Sequence, residues 1–161
     1  MIMLPSTKKI IEYWRSNGLA IANGVSADEL SRFEIKHDLR LPDDLRDYFL
    51  TVNGMVQNVK DESDKNLFAF WPINKLGPMP EICAADSCAV PDIVNPSSYF
   101  VFIDYFMWSW AYAIQLGEST NSVILVGTKS PTVVARSFAE FVDLYVADDR
   151  DVYEGPTRRA R

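Results

Sequence analysis

The chain is short of the residues on which most site chemistry is built. One histidine and two cysteines occur in 161 residues. That excludes the common zinc sites, which need clusters of Cys and His. Seven glycines are scattered, and neither G-x-G-x-x-G nor G-x-x-x-x-G-K occurs, so no phosphate-cradling loop can be read. No metal and no cofactor are expected. The densest apolar stretches, residues 99–103 and 105–108, are separated by Asp104 and fall far short of the ~20 residues that cross a bilayer. Met1-Ile2-Met3-Leu4-Pro5 runs at once into Ser6-Thr7-Lys8-Lys9, the reverse of the charge-then-apolar order of a signal peptide. A cytoplasmic protein with no membrane partner is expected. Basic residues are also scarce: 16 Lys and Arg stand against 22 Asp and Glu, a formal charge of −6. Nucleic-acid binding needs the opposite surplus.

Apolar and aromatic residues are plentiful. Nearly half the chain is hydrophobic, and it holds four Trp, seven Tyr and nine Phe, too many to stay solvated in a disordered chain. The length suits one domain, with a core expected over about 7–146 and a charged, fraying tail over 148–161. Cys83 and Cys88 lie five apart. Two free thiols in a reducing cytosol are expected, with a loop disulfide as the alternative.

Local patterns give an element order. Ser6 reads as an N-cap for a helix with Ile10, Ile11 and Trp14 on one face, stopped by Asn17-Gly18. Ser26-Ala27-Asp28-Glu29 is a capping box opening a second helix that buries Leu30 and Phe33. Pro42-Asp43-Asp44 opens a third with the stripe Leu45, Tyr48, Phe49 and Val52, ended by Asn53-Gly54. Residues 57–66 read as a polar loop and 67–73 as an aromatic strand. Residues 77–98 hold Pro78, Pro80, Pro91 and Pro96 and read as a long irregular loop. Strands follow over 99–105, 110–116, 123–126 and 132–135, and Ser137 caps a last helix with Phe138, Phe141, Val142 and Tyr145 inward. Helices first, then an antiparallel meander, then a closing helix make the class α+β.

Candidate chemistry is thin. His37 ends the second helix, where an imidazolium is favoured by the dipole without any catalytic role. Asp43, Asp44 and Asp47 read as a polar helix face, and Asp61, Glu62 and Asp64 as a solvated loop, since paired catalytic carboxylates need one in a buried setting. Charge placement says more. Residues 77–128 contain no Lys or Arg but do contain Glu81, Asp86, Asp92, Asp104 and Glu118, which is −5 of the chain's −6. Such an acidic, aromatic-rich stretch suits docking of a basic partner. Within it, Tyr105-Phe106-Met107-Trp108-Ser109-Trp110 falls at a bend between strands. Either these aromatics fold back onto the core or they form an exposed anchor of the kind enriched at interfaces.

Phe33-Glu34 in a helix, then Leu41-Pro42-Asp43-Asp44-Leu45-Arg46-Asp47-Tyr48-Phe49-Leu50 and Asn53-Gly54, resembles the N-terminal signature of the SUKH superfamily. Residues 68–71 with Ile73 and Leu76, residues 99–103, Tyr112-Ala113-Ile114 and Ala135-Arg136-Ser137-Phe138-Ala139-Glu140-Phe141 match the remainder, over about 7–146. The resemblance implies an α+β fold with an N-terminal helical part, a central sheet and no catalytic set. It also implies a protein-binding role. Many bacterial members are immunity proteins that neutralise polymorphic toxins, and fungal members act in cell-wall synthesis and signalling. The chain departs from the family where Met55 replaces a second glycine, where the hairpin after Tyr105 carries two Trp, and over 77–98. Partner choice is expected there. Asp104, Trp108, Trp110 and Glu118, supported by Asp86 and Asp92, are therefore expected to cover a basic toxin domain such as a nuclease. A regulatory scaffold without a toxin is the alternative and an enzyme the third reading. The oligomeric state is open.

Overall fold

Ile10, Ile11 and Trp14 are buried along one side of α1 (Pro5–Ser16). In the computed structural model, which describes residues 2–56, 63–86, 88–127 and 130–154, this helix leads into β1 (Ile21–Asn23), α2 (Ala27–His37), α3 (Asp43–Thr51) and β2 (Val52–Met55). The meander follows as β3 (Phe68–Phe70), β4 (Gly77–Pro78), α4 (Met79–Asp86), β5 (Tyr99–Tyr105), β6 (Trp110–Gln115), β7 (Val123–Val126) and β8 (Thr132–Ala135). The described chain closes with α5 (Phe138–Val146) and α6 (Asp151–Glu154). Helices flank a mostly antiparallel sheet, an α+β fold.

The large sheet runs β3-β5-β6-β7-β8, and β4 pairs with the same edge of β5 further along from β3. A bulge between Val101 and Ile103 shifts the β5–β6 register, which locally increases twist. Phe102 meets Phe138 and Phe141 of α5, and Phe70 meets Trp14 of α1 and Tyr145 of α5. The helical layer is thus fixed on the sheet by edge-to-face and tilted aromatic pairs, each contributing about 0.5–1.5 kcal/mol beyond burial.

Several expectations are corrected by long-range contacts. Ser6 lies inside α1, whose N-cap is Leu4. The Leu4 N–H is met by Asp47 of α3 at 3.0 Å. Asn53-Gly54 does not stop α3, which ends at Thr51; it sits in β2, paired with β1. Strand 67–73 shrinks to three residues, because Pro72 and the 3-10 turn Ile73–Lys75 leave the ladder. The proline-rich 77–98 holds a strand, a helix and a second 3-10 turn, Pro96–Ser98. The tail docks as far as α6, where Val152 is buried and its carbonyl accepts the Tyr112 hydroxyl at 2.7 Å. The loop reading of 57–62, including Asp61 and Glu62, lies outside the described residues, as does the tail beyond 154. Asp64, expected to be solvated, is 4% exposed.

The cysteines are also corrected. Cys83 and Cys88 form a disulfide. Cys83 is in the last turn of α4 and the Cys88 N–H bonds back to its carbonyl at 3.0 Å. That turn sets the two Cα atoms 4.5 Å apart, within bridging range.

Candidate functional site

Of the signature carboxylates, Asp43 is exposed, while Glu34, Asp44 and Asp47 are half-buried and face partners inside the fold. Glu34 accepts the Leu41 N–H at 2.7 Å and the Arg46 guanidinium at 2.5 Å, locking the α2–α3 connection. Asp44 accepts the Ala139 N–H at 2.9 Å, at the start of α5. It joins Ser137, whose hydroxyl accepts the Glu140 N–H at 3.0 Å. Helix starts leave N–H groups without internal partners and favour negative charge. Asp44 and Asp47 are therefore caps for helices distant in sequence, not a solvated face. Asn53 accepts the Ile73 N–H at 2.8 Å, joining the small sheet to the large one. None of these bonded side chains is left for a substrate.

His37 is wedged between the rings of Phe33 and Phe100, with centroids 4.6 and 5.0 Å away. Burial lowers its pKa, Lys36 adds to this and Glu81 opposes it. It lines a shallow cleft with Asp38, Asn95 and Ser98. The Ser98 hydroxyl there is already donated to the Asn95 carbonyl at 2.7 Å.

Asp64 anchors a buried chain. The Trp14 indole N–H donates to the Tyr145 hydroxyl at 2.9 Å, and that hydroxyl donates to Asp64. The other Asp64 oxygen accepts the N–H groups of Asn66 and Phe68 at 2.8 and 3.0 Å. Burial raises the Asp64 pKa from its ordinary value, against these donors and Lys65. The Tyr145 pKa is pushed far up, by burial first and then by Asp64.

The β5–β6 hairpin resolves the aromatic run. Neighbouring strand residues point to opposite faces, so Asp104 and Tyr105 look opposite ways. Trp110 stacks on Tyr105 at 4.2 Å and its N–H meets the Tyr112 hydroxyl at 3.2 Å. This is the face that carries α5 and α6, through Tyr112–Phe141 and Tyr105–Tyr153 contacts. Trp108 instead packs on Trp71 at 5.4 Å, and the Trp71 N–H donates to Asp104 at 2.8 Å. Both Trp and Tyr105 fold back, whereas Phe106 is 51% and Met107 92% exposed. The two exposed side chains were not singled out from sequence, although they sit inside the run that was. Leu67, also exposed, lies alongside, its carbonyl accepting the Phe106 N–H at 2.9 Å.

The six residues expected from the sequence therefore part company. Asp86, Trp108 and Trp110 line one cleft together with Cys88 and Gly127. Asp104 is half-buried and holds Trp71 in place. Asp92 is exposed on the connection after α4. Glu118 accepts from Asn95 at 2.6 Å, beyond the far end of β6, roughly 20 Å from the hairpin turn by strand rise. On the other flank, burial and then the carboxylates of Asp148 and Asp64 raise the Tyr105 pKa. Nearby cations are held on rings: Lys75 over Trp71 at 4.5 Å and Lys65 by Tyr13 at 5.8 Å.

Residues 24–144 match the SMI1 / KNR4 family (SUKH-1). The chain belongs to this family. Comparison with curated proteins finds no match. The SUKH-1 match runs from the residue before Val25 through most of α5, so α1 and α6 lie outside it, yet both contribute to the core through Trp14 and Val152. Within the matched range, Glu34, Arg46, Asp44 and Asn53 are the side chains that close caps and seams. No helix is long and apolar enough to cross a membrane, and no cluster of three or more His, Cys, Asp or Glu suited to a metal occurs, among the described residues.

The hairpin turn is held in the left-handed region, with φ of 47° at Phe106, 50° at Met107 and 67° at Trp108. That conformation costs a side-chain-bearing residue about 1–2 kcal/mol. Met107→Gly should therefore raise stability by about 1 kcal/mol in urea denaturation, since little packing is lost. A loss of stability would show that Met107 is a packing residue.

Proposed function

We propose that this chain is a single, non-catalytic protein-binding module of the cytoplasm, an immunity protein that neutralises a basic toxin domain by covering it. One observation carries this reading. The motif side chains Glu34, Asp44 and Asn53 are consumed by internal hydrogen bonds, while the hairpin end exposes Phe106 and Met107, and Asp86 lines a cleft with the adjoining Trp108 and Ser109. Family membership supports a binding role over catalysis, and the Lys- and Arg-free stretch supports a basic partner. In the reducing cytoplasm, the turn around Cys83 and Cys88 keeps its backbone hydrogen bond, which needs no disulfide.

Co-expression with the toxin encoded beside this chain should restore growth, and the purified proteins should bind. Affinity should fall as salt rises from 50 to 500 mM, roughly several-fold, because exposed pairs are screened. Asp86→Asn with Asp92→Asn should lower the association rate and flatten that salt dependence. Affinity indifferent to both changes would remove the electrostatic part. Failure to bind or rescue would favour a regulatory scaffold.

A further inference from the structure

Among the described residues, seven other than glycine have left-handed backbone: Asp38, Leu67, Asn95, Phe106, Met107, Trp108 and Asp148. Three are Asp or Asn, the types that tolerate this region. The four bulky ones all lie at one place, the β5–β6 hairpin end and the Leu67 backbone bonded to it. A turn needing left-handed residues is readily built from Asn and Gly. Here it carries Phe, Met and Trp, and Met107 is almost wholly exposed, so core burial does not account for it. Bulky residues persist in this region only when the surroundings over-determine it, and such sites cluster where ligands are clamped.

The surroundings are rigid. Trp108 and Trp110 brace the hairpin from its two faces. The Ser109 N–H bonds the carbonyls of Tyr105 and Phe106 at 3.0 and 3.1 Å, and its hydroxyl bonds the Phe106 carbonyl at 2.9 Å. Phe106 and Met107 are thus presented by a fixed turn, which reduces the ordering cost of association.

We infer that this turn is a preorganised apolar knob, with Phe106 and Met107 as anchors that enter an apolar pocket of the partner. Asp86 on one flank, and on the other Asp148, which accepts the hydroxyl of the Tyr153 packed on Tyr105, match a basic rim around that pocket. The inference rests on the protein-binding reading above. Membrane insertion is disfavoured, because those flanking carboxylates repel anionic lipid.

The test uses the purified toxin domain encoded beside this chain as probe, with Phe106→Asn/Met107→Asn and Met107→Leu compared with wild type. Asn tolerates the left-handed turn but removes the apolar anchor. The double variant should bind about thirty-fold more weakly or worse, as expected for central hot spots. Its melting temperature should stay within about 3 °C of wild type, and Met107→Leu should bind as wild type does. Binding by the double variant within about threefold of wild type overturns the knob and leaves the binding reading intact. So does a melting temperature lowered by about 8 °C or more, which would make these side chains packing elements. So does concentration-dependent self-association in sedimentation that the double variant abolishes. A wild-type chain that does not bind the toxin overturns the binding reading and the knob with it.

Discussion

Gly54→Ala should cost about 3 kcal/mol of unfolding free energy, several times the loss at Gly18, which also follows an asparagine. Both have a φ of 72°, so alanine is strained at either position. The surroundings differ. A Cβ at Gly18 meets nothing within 4 Å, whereas one at Gly54 lies 2.7 Å from the carbonyl oxygens of both Phe70 and Trp71. Those are backbone atoms of the strand seam that Asn53 also ties, and they cannot swing aside as a side chain would. Gly18→Ala should therefore lose only the conformational part, about 1 kcal/mol. Denaturant midpoints of the two variants at constant slope give the comparison. Equal losses would mean that the β2–β3 seam is soft and that close approach at Gly54 is not needed.

Removal of the Asp64 carboxylate should be of similar size. Asp64→Ala leaves the Tyr145 hydroxyl and the N–H groups of Asn66 and Phe68 without their acceptor, a loss of about 2–4 kcal/mol. The pH dependence has a definite sign. The folded pKa is raised above the ordinary 3.8, chiefly by burial. The folded state then binds this proton more tightly than the unfolded state does. The resulting stability is fully present below 3.8 and is lost as pH rises through the raised folded value. Asp64→Asn cannot titrate. Wild type should thus gain stability relative to Asp64→Asn as the pH is lowered from 7 toward 4. A difference that stays flat, or runs the other way, would show that the hydrogen-bond donors outweigh burial at Asp64.

Much of the fold was legible because its determinants are local. The Ser26 and Ser137 caps each bond an N–H three residues on, and β5, β7 and β8 have the limits that their apolar patterning predicts. The misses share a cause. β1 and β2 are three and four residues long and are strands only because they pair with each other. α4 opens with Met79-Pro80 and carries Ala84 and Ala85 in place of an apolar stripe. Asp44 and Asp64 read as solvated because their partners, Ala139 and Tyr145, lie 95 and 81 residues away.

The candidate site divides in the same way. The acidic stretch and the aromatic run were visible as composition. Their exposure was not, since it depends on which faces the helices cover. Sequence alone marks Asp104 as surface charge, but the Trp71 indole N–H donates to it, and Glu118, near the run in sequence, lies a strand's length away beside Asn95.

By itself the sequence determined the α+β class, the capped helices, the lack of cofactor motifs and a charge balance unsuited to nucleic acid. Periodicity, caps and composition act over a few residues or over none. The tertiary structure alone decided that Trp108 and Trp110 turn inward while Phe106 and Met107 face outward. A hairpin's side chains can be satisfied by either solvent-side or core-side packing, and only the neighbouring layers, Trp71 on one face and Tyr105 with Tyr153 on the other, settle which.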